Sequence, residues 1–432
     1  VGAPGPVPGD AEGGGADLAP AETGGPGGGG GLHRNVWVAS LTSFLTDVSS
    51  EMLQNVLPLF LANVLGVRTW TVGVVEGLAE STASVLKLYS GWLSDRLRAR
   101  KWLAVGGYGI SAAAKPLYLL AVSWPVVAAI RWADRVGKGV RTAPRDALLA
   151  DSVHGSRRGL AFGVHRAADT AGAVLGLLAT LAIVNATQGD AVLLEGATFH
   201  RLVLWSLVPA FLAVLILAAG AKDVPIPEDE ARGPRLTFRA LGKGFGAFVA
   251  ASAVFQLGNS SDAFLILRAQ ERGLGVTDLL WMLVAFNVVY TVVSAPAGSL
   301  ADRIPRKWVV LMAWCVYAAV YLGFAMARTG THVVVLFALY GIYQGMVAGA
   351  AKALVTDLVA PNLRGTAFGT YHAVIGLMSL PASLLAGLLW QGFGAWSGFG
   401  PAAPFLFGAA LSGVAAVLLL TTVPSHAHEP PH

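Results

Sequence analysis

Two acids stand one helical turn apart early in the chain, Asp47 and Glu51, in a stretch otherwise made of apolar and small residues. At positions i and i+4 they share one helix face. Farther along, Arg131, Asp134, Arg135, Lys138, Arg141, Arg145 and Asp146 follow at steps of mostly three and four, which makes a charged helical stripe. His165, Arg166 and Asp169 form a third set, and Glu76, Glu80, Lys87 and Lys115 add four more ionisable groups between them. An arginine beside an acid favours the acid's charged form until something separates the two. The chemistry these types suit is therefore reversible binding of a proton or an ionic ligand. Asp47, Glu51 and Asp134 are expected to bind the proton or substrate, and Arg131 to tune them. A static ion-pair cluster welding the first half together fits the same residues equally well. His165, next to Arg166, is expected to be neutral and hydrogen-bonded.

The second half of the chain is poorer in charge, with Asp262, Arg268, Glu271, Lys352 and His372 among the neutral polar residues Gln256, Asn259, Asn287, Tyr290, Tyr340, Tyr343 and Gln344. Such a set suits recognition by shape and hydrogen bonding. Ligand contacts are expected at Arg141, His165, Arg166, Asn259, Asp262, Asn287, Tyr290, Tyr343 and His372. Neither the histidines nor the single cysteine, Cys315, falls in a metal-ligand spacing, and no nucleotide-binding Gly-x-x-x-x-Gly-Lys-(Ser/Thr) occurs. No Ser/His pair stands at usable spacing either. Enzymatic chemistry, a resident metal and a cofactor are not expected.

The elements that must hold these groups are membrane helices. Apolar residues make up 55% of the chain and charged residues only 13%, where a soluble domain carries about 25% charged. One apolar run of about 20 residues follows another, the length that crosses a bilayer core. Lipid offers no partner to open backbone groups, so the runs must be helices. Twelve are expected, at 36–64, 70–94, 102–122, 125–152, 160–186, 201–220, 240–268, 277–300, 308–328, 332–358, 366–392 and 402–423. A charge in mid-bilayer costs about 2.5–3.5 kcal/mol even on the lenient insertion scale. The charged faces must therefore line a wet cavity or pair with one another. Pro144, inside the fourth run, is expected to kink it.

Bases concentrate in alternate loops: Arg96, Arg98, Arg100 and Lys101; Arg157 and Arg158; Arg232 and Arg235; Arg303, Arg306 and Lys307; Arg364. The positive-inside bias then puts both termini in the cytoplasm of a cell whose inner or plasma membrane holds the chain. The net charge of +5 serves topology and is no sign of nucleic acid. Residues 1–34 are Gly/Pro-rich and are expected to form a disordered tail. Residues 35–221 and 239–423 are expected to be two six-helix bundles joined by a cytoplasmic linker at 222–238, with a flexible tail at 424–432.

The halves repeat. Gly91-Trp92-Leu93-Ser94-Asp95-Arg96 recurs as Gly298-Ser299-Leu300-Ala301-Asp302-Arg303, 207 residues on. Ser49-Ser50-Glu51 matches Ser260-Ser261-Asp262, and Asp151 with Arg158-Gly159 matches Asp357 with Arg364-Gly365. These residues resemble the major facilitator superfamily, whose loop after span 2 reads Gly-x-Leu-(Ser/Ala)-Asp-Arg-x-Gly-Arg-(Arg/Lys). Gly91, Leu93, Ser94, Asp95, Arg96, Arg100 and Lys101 match or nearly match it, while Arg98 stands where that family has Gly. Arg131 with Gly137 and Gly139 resembles its span-4 motif. Gly163, Gly172 and Gly176 resemble part of an exporter-type span-5 motif, but lack its Pro and final glycines, and packing accounts for them as well. The resemblance implies an all-α membrane protein of twelve helices in two pseudo-symmetric bundles. It also implies a monomer, embedded in the bilayer, that moves a small molecule by alternating access. Proton-coupled export of an amphipathic organic compound is the expected function. Transport of an organic anion or metal complex is the alternative, and a non-transporting receptor or scaffold is the rival of another class. In proton-coupled relatives the span-4 arginine takes part in proton transfer, which carries over to Arg131. Gly91, Asp95, Arg96, Gly298, Asp302 and Arg303 are expected to form a cytoplasmic gate.

Overall fold

The computed structural model describes residues 32–97, 100–153, 158–189, 191–223, 241–360 and 363–424. The side chains of Asp95, Arg96 and Asp302, three of the six gate residues, lie outside the described residues, as do most of the linker and nearly all of both tails. Among the described residues every regular element is helical.

The twelve spans are present, with two of them broken. Span 1 runs Arg34–Gln54, breaks at Asn55 and Val56, and continues through Leu57–Leu59 into a π-helical turn, Phe60–Val64. Spans 2 and 3 are Thr69–Leu97 and Arg100–Ala114, the latter extended by a 3-10 turn, Lys115–Leu120. Spans 4, 5 and 6 are Trp124–Asp151, Arg158–Gln188 and Gly196–Gly220. Span 7 is Lys243–Gly258 followed, after an unwound segment, by Ala263–Glu271. Spans 8 to 12 are Val276–Arg303, Arg306–Met326, Gly330–Leu358, Arg364–Gln391 and Ala403–Thr422. Spans 5, 6 and 8 to 12 are each long and apolar enough to cross a membrane. Ionised side chains or breaks set spans 1 to 4 and span 7 apart from them. Span 4 stays helical through Pro144.

Local chemistry sets several ends. Pro125 stands in the first turn of span 4, where its missing N–H costs nothing. Thr329 caps span 10 by accepting from His332 N at 3.4 Å. Gly392 ends span 11 at φ +70°, where any side chain would also strike the Trp396 carbonyl. Two buried bases cap helix C-termini on opposite faces of the molecule. Arg268 donates to the carbonyls of Phe324 at 3.1 Å, Ala325 at 3.1 Å and Ala327 at 3.4 Å, at the end of span 9, and to Glu271 Oε2 at 2.6 Å. Lys307 Nζ donates to Leu420 O at 3.0 Å and to Val423 O, at the end of span 12. Both satisfy carbonyls that a helix leaves open.

The sequence repeat becomes a structural one. Arg100 pairs with Asp151 and donates to Ala147 O at 3.4 Å, clasping the start of span 3 to the end of span 4. Arg306 pairs with Asp357 and donates to Ala353 O at 3.3 Å, doing the same for spans 9 and 10. Gly172 and Gly176 of span 5 press on Phe44 O and Val48 O of span 1, so these two glycines pack helices. Gly163 has open space beside it.

The halves meet where span 2 crosses span 11 and span 5 crosses span 8. Gly73 lies so close to Ser383 that a Cβ would overlap its carbonyl, and Gly387 lies as close to Trp70. Hydrogen bonds between halves cluster on the face away from the termini. Arg68 donates to Gly394 O at 3.3 Å, Thr69 N to Gln391 Oε1 at 2.9 Å and Thr69 Oγ1 to Gly387 O at 3.1 Å. Thr277 Oγ1 donates to Asn185 Oδ1 at 3.0 Å. Two more lie deeper, Ser81 to Gly376 O at 2.6 Å and Arg166 to Tyr290 OH at 2.6 Å. Among the described residues none joins the halves at the face that carries the termini.

Candidate functional site

A cavity of about 550 Å³ lies between the halves, within the range of ligand sites. The two broken spans feed it directly. Gln54 and Asn55 reach it from the break in span 1, and Asn259 to Ala263 from the unwound stretch of span 7. Unwound backbone at membrane depth is tolerated where it lines such a space. Around the second break the free groups satisfy one another. Gln256 Nε2 donates to Asn259 O at 3.2 Å, Ser261 N donates to Ser383 Oγ at 3.2 Å, and Tyr340 OH donates to Asp262 Oδ1 at 3.0 Å while accepting from Gln344 Nε2 at 3.2 Å. Asn259 Oδ1 is buried without a partner.

The walls differ. The first-half wall is ionic: Glu76, Glu80 and Lys87 from span 2 face Arg131, Arg135 and Lys138 from span 4. Arg131 Nη2 donates to Glu76 Oε2 at 2.9 Å, and its Nη1 stands 3.8 Å from Asp134 Oδ2. Arg135 donates to Gln54 Oε1 at 3.2 Å and stands 3.9 Å from Glu80. Among the described residues the ammonium groups of Lys87 and Lys138 have no ion-pair partner within 4.0 Å and no hydrogen bond. The second-half wall is nearly neutral, with Asp262 as its one acid among Gln256, Asn259, Tyr340, Gln344 and His372. A side arm of about 240 Å³ opens between spans 7, 9, 10 and 11 of the second half, and shares Gln256, Asn259, Gln344, His372 and Ile375 with the main cavity.

Of the residues singled out from sequence, Arg131, Asn259, Asp262 and His372 line the cavity, and Tyr343 lines the side arm. Asp134 sits behind the ionic wall in a small pocket with Lys115. Glu51 turns to Gln54 and Asn55, whose amides donate to its carboxylate, in the latter case at 2.6 Å. Asp47 is half-buried beside it and does not line the cavity. The Arg131 partner is thus Glu76, with neither span-1 acid in ion-pair contact. Arg141 points into span 3, donating to Ser111 Oγ at 2.8 Å and lying 4.4 Å over the Tyr108 ring. His165 has both ring nitrogens buried without a hydrogen bond, and Nε2 stands 3.8 Å from Asp169. The hydrogen-bonded histidine expected from sequence thus has no hydrogen-bond partner among the described residues, Asp169 standing beyond hydrogen-bond distance. Arg166 bridges to Tyr290 across the halves. Asn287 is spent on its own helix, donating to Leu283 O at 2.9 Å. Gly91 packs against Ala143, Gly298 faces open space, and Arg303 is exposed.

Glu80, Lys87, Arg135, Lys138 and Gln54 line the cavity without having been assigned a role. The signal was present: Glu76, Glu80 and Lys87 share one face of span 2, and the charged stripe of span 4 had to meet a partner.

The sequence profile of the Major Facilitator Superfamily matches residues 39–257 and again 240–432, about once per half. An uncharacterised MFS-type transporter of Methanocaldococcus jannaschii is 37% identical over 395 residues, covering 90% of this chain and 95% of that protein. This chain belongs to the major facilitator superfamily. It is accordingly a multi-pass membrane transporter and not an enzyme. An uncharacterised protein of Mycobacterium tuberculosis is 29% identical over 369 residues, 83% of this chain and 87% of its own length. Solved facilitator structures share the fold at low identity. A bacterial homologue of the human lysosomal transporter Spinster, inward-facing and occupied, superposes with a TM-score of 0.73 at 15% identity, covering 93% of this chain and all of that one. A D-xylose–proton symporter gives 0.69 at 17%, covering 91% and 98%.

Proposed function

We propose that this transporter is a secondary active carrier of the cell membrane that moves a small organic molecule through the central cavity by alternating access, with a proton as the coupling ion and export as the direction. The observation that supports it is the position of the cavity. It lies between two bundles that are hydrogen-bonded to each other on one face and not, among the described residues, on the other. With both termini in the cytoplasm, as the loop bases argue, this is the state closed to the outside. Gly91, Asp95 and Arg96 with Gly298, Asp302 and Arg303 are the proposed latch of the opposite state. The residues 35–221 and 239–423 are the proposed moving bodies, working as a monomer.

Arg131, Asp134 and Glu76 are the proposed coupling cluster. Arg131 pairs with Glu76 when Glu76 is ionised and is free for the cavity when Glu76 is protonated, so proton binding and cargo binding are linked through one charge. Asp47 and Glu51 are proposed as acids of the same half that support this exchange. Asn259, Asp262 and His372 are the proposed cargo contacts, with Tyr343 behind them. Arg141, His165, Arg166, Asn287 and Tyr290, expected from sequence as ligand contacts, are proposed to engage cargo in another state of the cycle.

A second reading, carriage of an organic anion, is favoured by the wall itself, where four bases (Lys87, Arg131, Arg135, Lys138) face three acids (Glu76, Glu80, Asp262).

Reconstituted protein with a pH-sensitive dye inside the vesicles tests the reading. Cargo-dependent proton flux should appear and should fall at least tenfold in Glu76→Gln and in Asp47→Asn. Cargo exchange indifferent to a pH gradient and to both substitutions would remove proton coupling. Absence of any exchange would favour the receptor alternative.

A further inference from the structure

We infer that the cargo is an aromatic organic anion, bound with its charged head on the first-half lysines and its ring in the second-half side arm. This rests on the transport reading above and names the cargo class of the same cavity.

The head is argued from Lys87 and Lys138. Both ammonium groups border the cavity, and among the described residues neither has an acid within 4.0 Å. A charge held at membrane depth needs water or a counter-charge to be tolerated. Neighbouring Arg131 and Arg135 are already engaged, with Glu76 and with Gln54. Glu80 is the shared counter-charge of both lysines and of Arg135, so four bases of this wall face two carboxylates, and the excess positive charge falls on two flexible amines that a carboxylate or sulfonate can bridge.

The ring is argued from the side arm. Its walls include Phe248, Phe255, Trp314, Tyr343 and Tyr371. The rings are already ordered in stacks: Phe248 on Tyr371 at 5.7 Å and 5°, and Phe255 on Trp314 at 4.9 Å and 7°. Packed on one another and, save the half-buried Tyr371, nearly fully buried, these rings wall the arm with aromatic surface that accepts another ring in edge or offset contact. An apolar cavity of about 150 Å³ accepts benzene, so about 240 Å³ suits a larger arene. Because arm and cavity share His372, Gln256 and Asn259, one molecule spans both.

Three probes separate the parts: 1-naphthoate, 1-naphthylmethylammonium and hexanoate, titrated calorimetrically into the purified full chain. Naphthoate should bind at least tenfold more tightly than either of the others. Lys87→Gln with Lys138→Gln should weaken it tenfold or more. Ala348→Phe, which fills the arm from an exposed position, should weaken naphthoate by a similar factor and leave hexanoate unchanged. Equal binding of the naphthyl cation, equal binding of hexanoate, no effect of either variant, or no naphthoate binding overturns the cargo class. Naphthoate binding without exchange in vesicles would keep the class and overturn transport. Exchange of other solutes by a protein that ignores naphthoate would do the reverse.

Discussion

Arg131 is 6% exposed and hydrogen-bonded to Glu76, a carboxylate 55 residues earlier in the chain. Removing one partner from such a pair leaves the other charge buried, which costs about 3–5 kcal/mol, whereas replacing both with apolar groups is often neutral. Arg131→Met should therefore lower the melting temperature by several degrees. Arg131→Met with Glu76→Met should recover most of that loss without recovering exchange. Paired melting and flux measurements check this, and restored flux in the double variant would make the pair structural. The arginine was legible from its span-4 pattern. Its partner was not, because the choice among Asp47, Glu51, Asp134 and Glu76 depends on which faces of spans 1, 2 and 4 meet. Arg268 makes a simpler case. It closes the carbonyl end of span 9, and Arg268→Met should destabilise the second half by about 2 kcal/mol or more through the unsatisfied carbonyls. Hydrogen exchange should rise at residues 324–327 ahead of the rest.

Helices were readable from the succession of apolar runs, seven of them by length and hydropathy alone, and their number and order follow the sequence. Their interruptions did not. Span 7 breaks at Asn259–Asp262, which holds no proline, whereas the break at Asn55 and Val56 falls just before Pro58, which cannot donate to Gln54 O. Asn, Ser and Asp offer the backbone local hydrogen bonds in place of helix, and the cavity lets the freed groups be solvated. The duplicated Ser-Ser-acid strings near these breaks marked the place without revealing the unwinding. Packing between helices is tightest where glycines let spans 2 and 11 touch. Gly73→Val or Gly387→Val should force the halves apart on that face, at about 1–3 kcal/mol of overpacking. In a background with Cys315→Ser, a cysteine introduced at Thr277 should then react faster with a membrane-impermeant maleimide. Unchanged labelling would mean that the crossing tolerates the added carbons.

At the scale of the molecule, a repeated sequence makes two bundles with matching clasps, Arg100–Asp151 and Arg306–Asp357, and unmatched interiors. The match was visible as an offset in the sequence, and so was the division into an ionic and a neutral half. Which charged residues reach the shared cavity was not, since helix rotation decides it. Thr277 and Asn185 meet across the halves on the face away from the termini. Replacing both with cysteine, again with Cys315→Ser, and bridging them with a short bismaleimide should stop exchange while leaving ligand binding intact. Persistent exchange in the bridged protein would exclude rocking at that face.

The seam at Thr69, Arg68 and Thr277, which among the described residues has no counterpart on the opposite face, bears on where the proposed carrier waits when empty. Four inter-bundle hydrogen bonds at about 0.5–1.5 kcal/mol each bias the two orientations by a few kcal/mol, and each 1.4 kcal/mol is a factor of ten in population. On the proposed alternating-access cycle, these bonds must break before the bundles can rock, so the unloaded carrier waits with its site facing one compartment. In vesicles of uniform insertion, the first turnover should start promptly from that side and lag from the other.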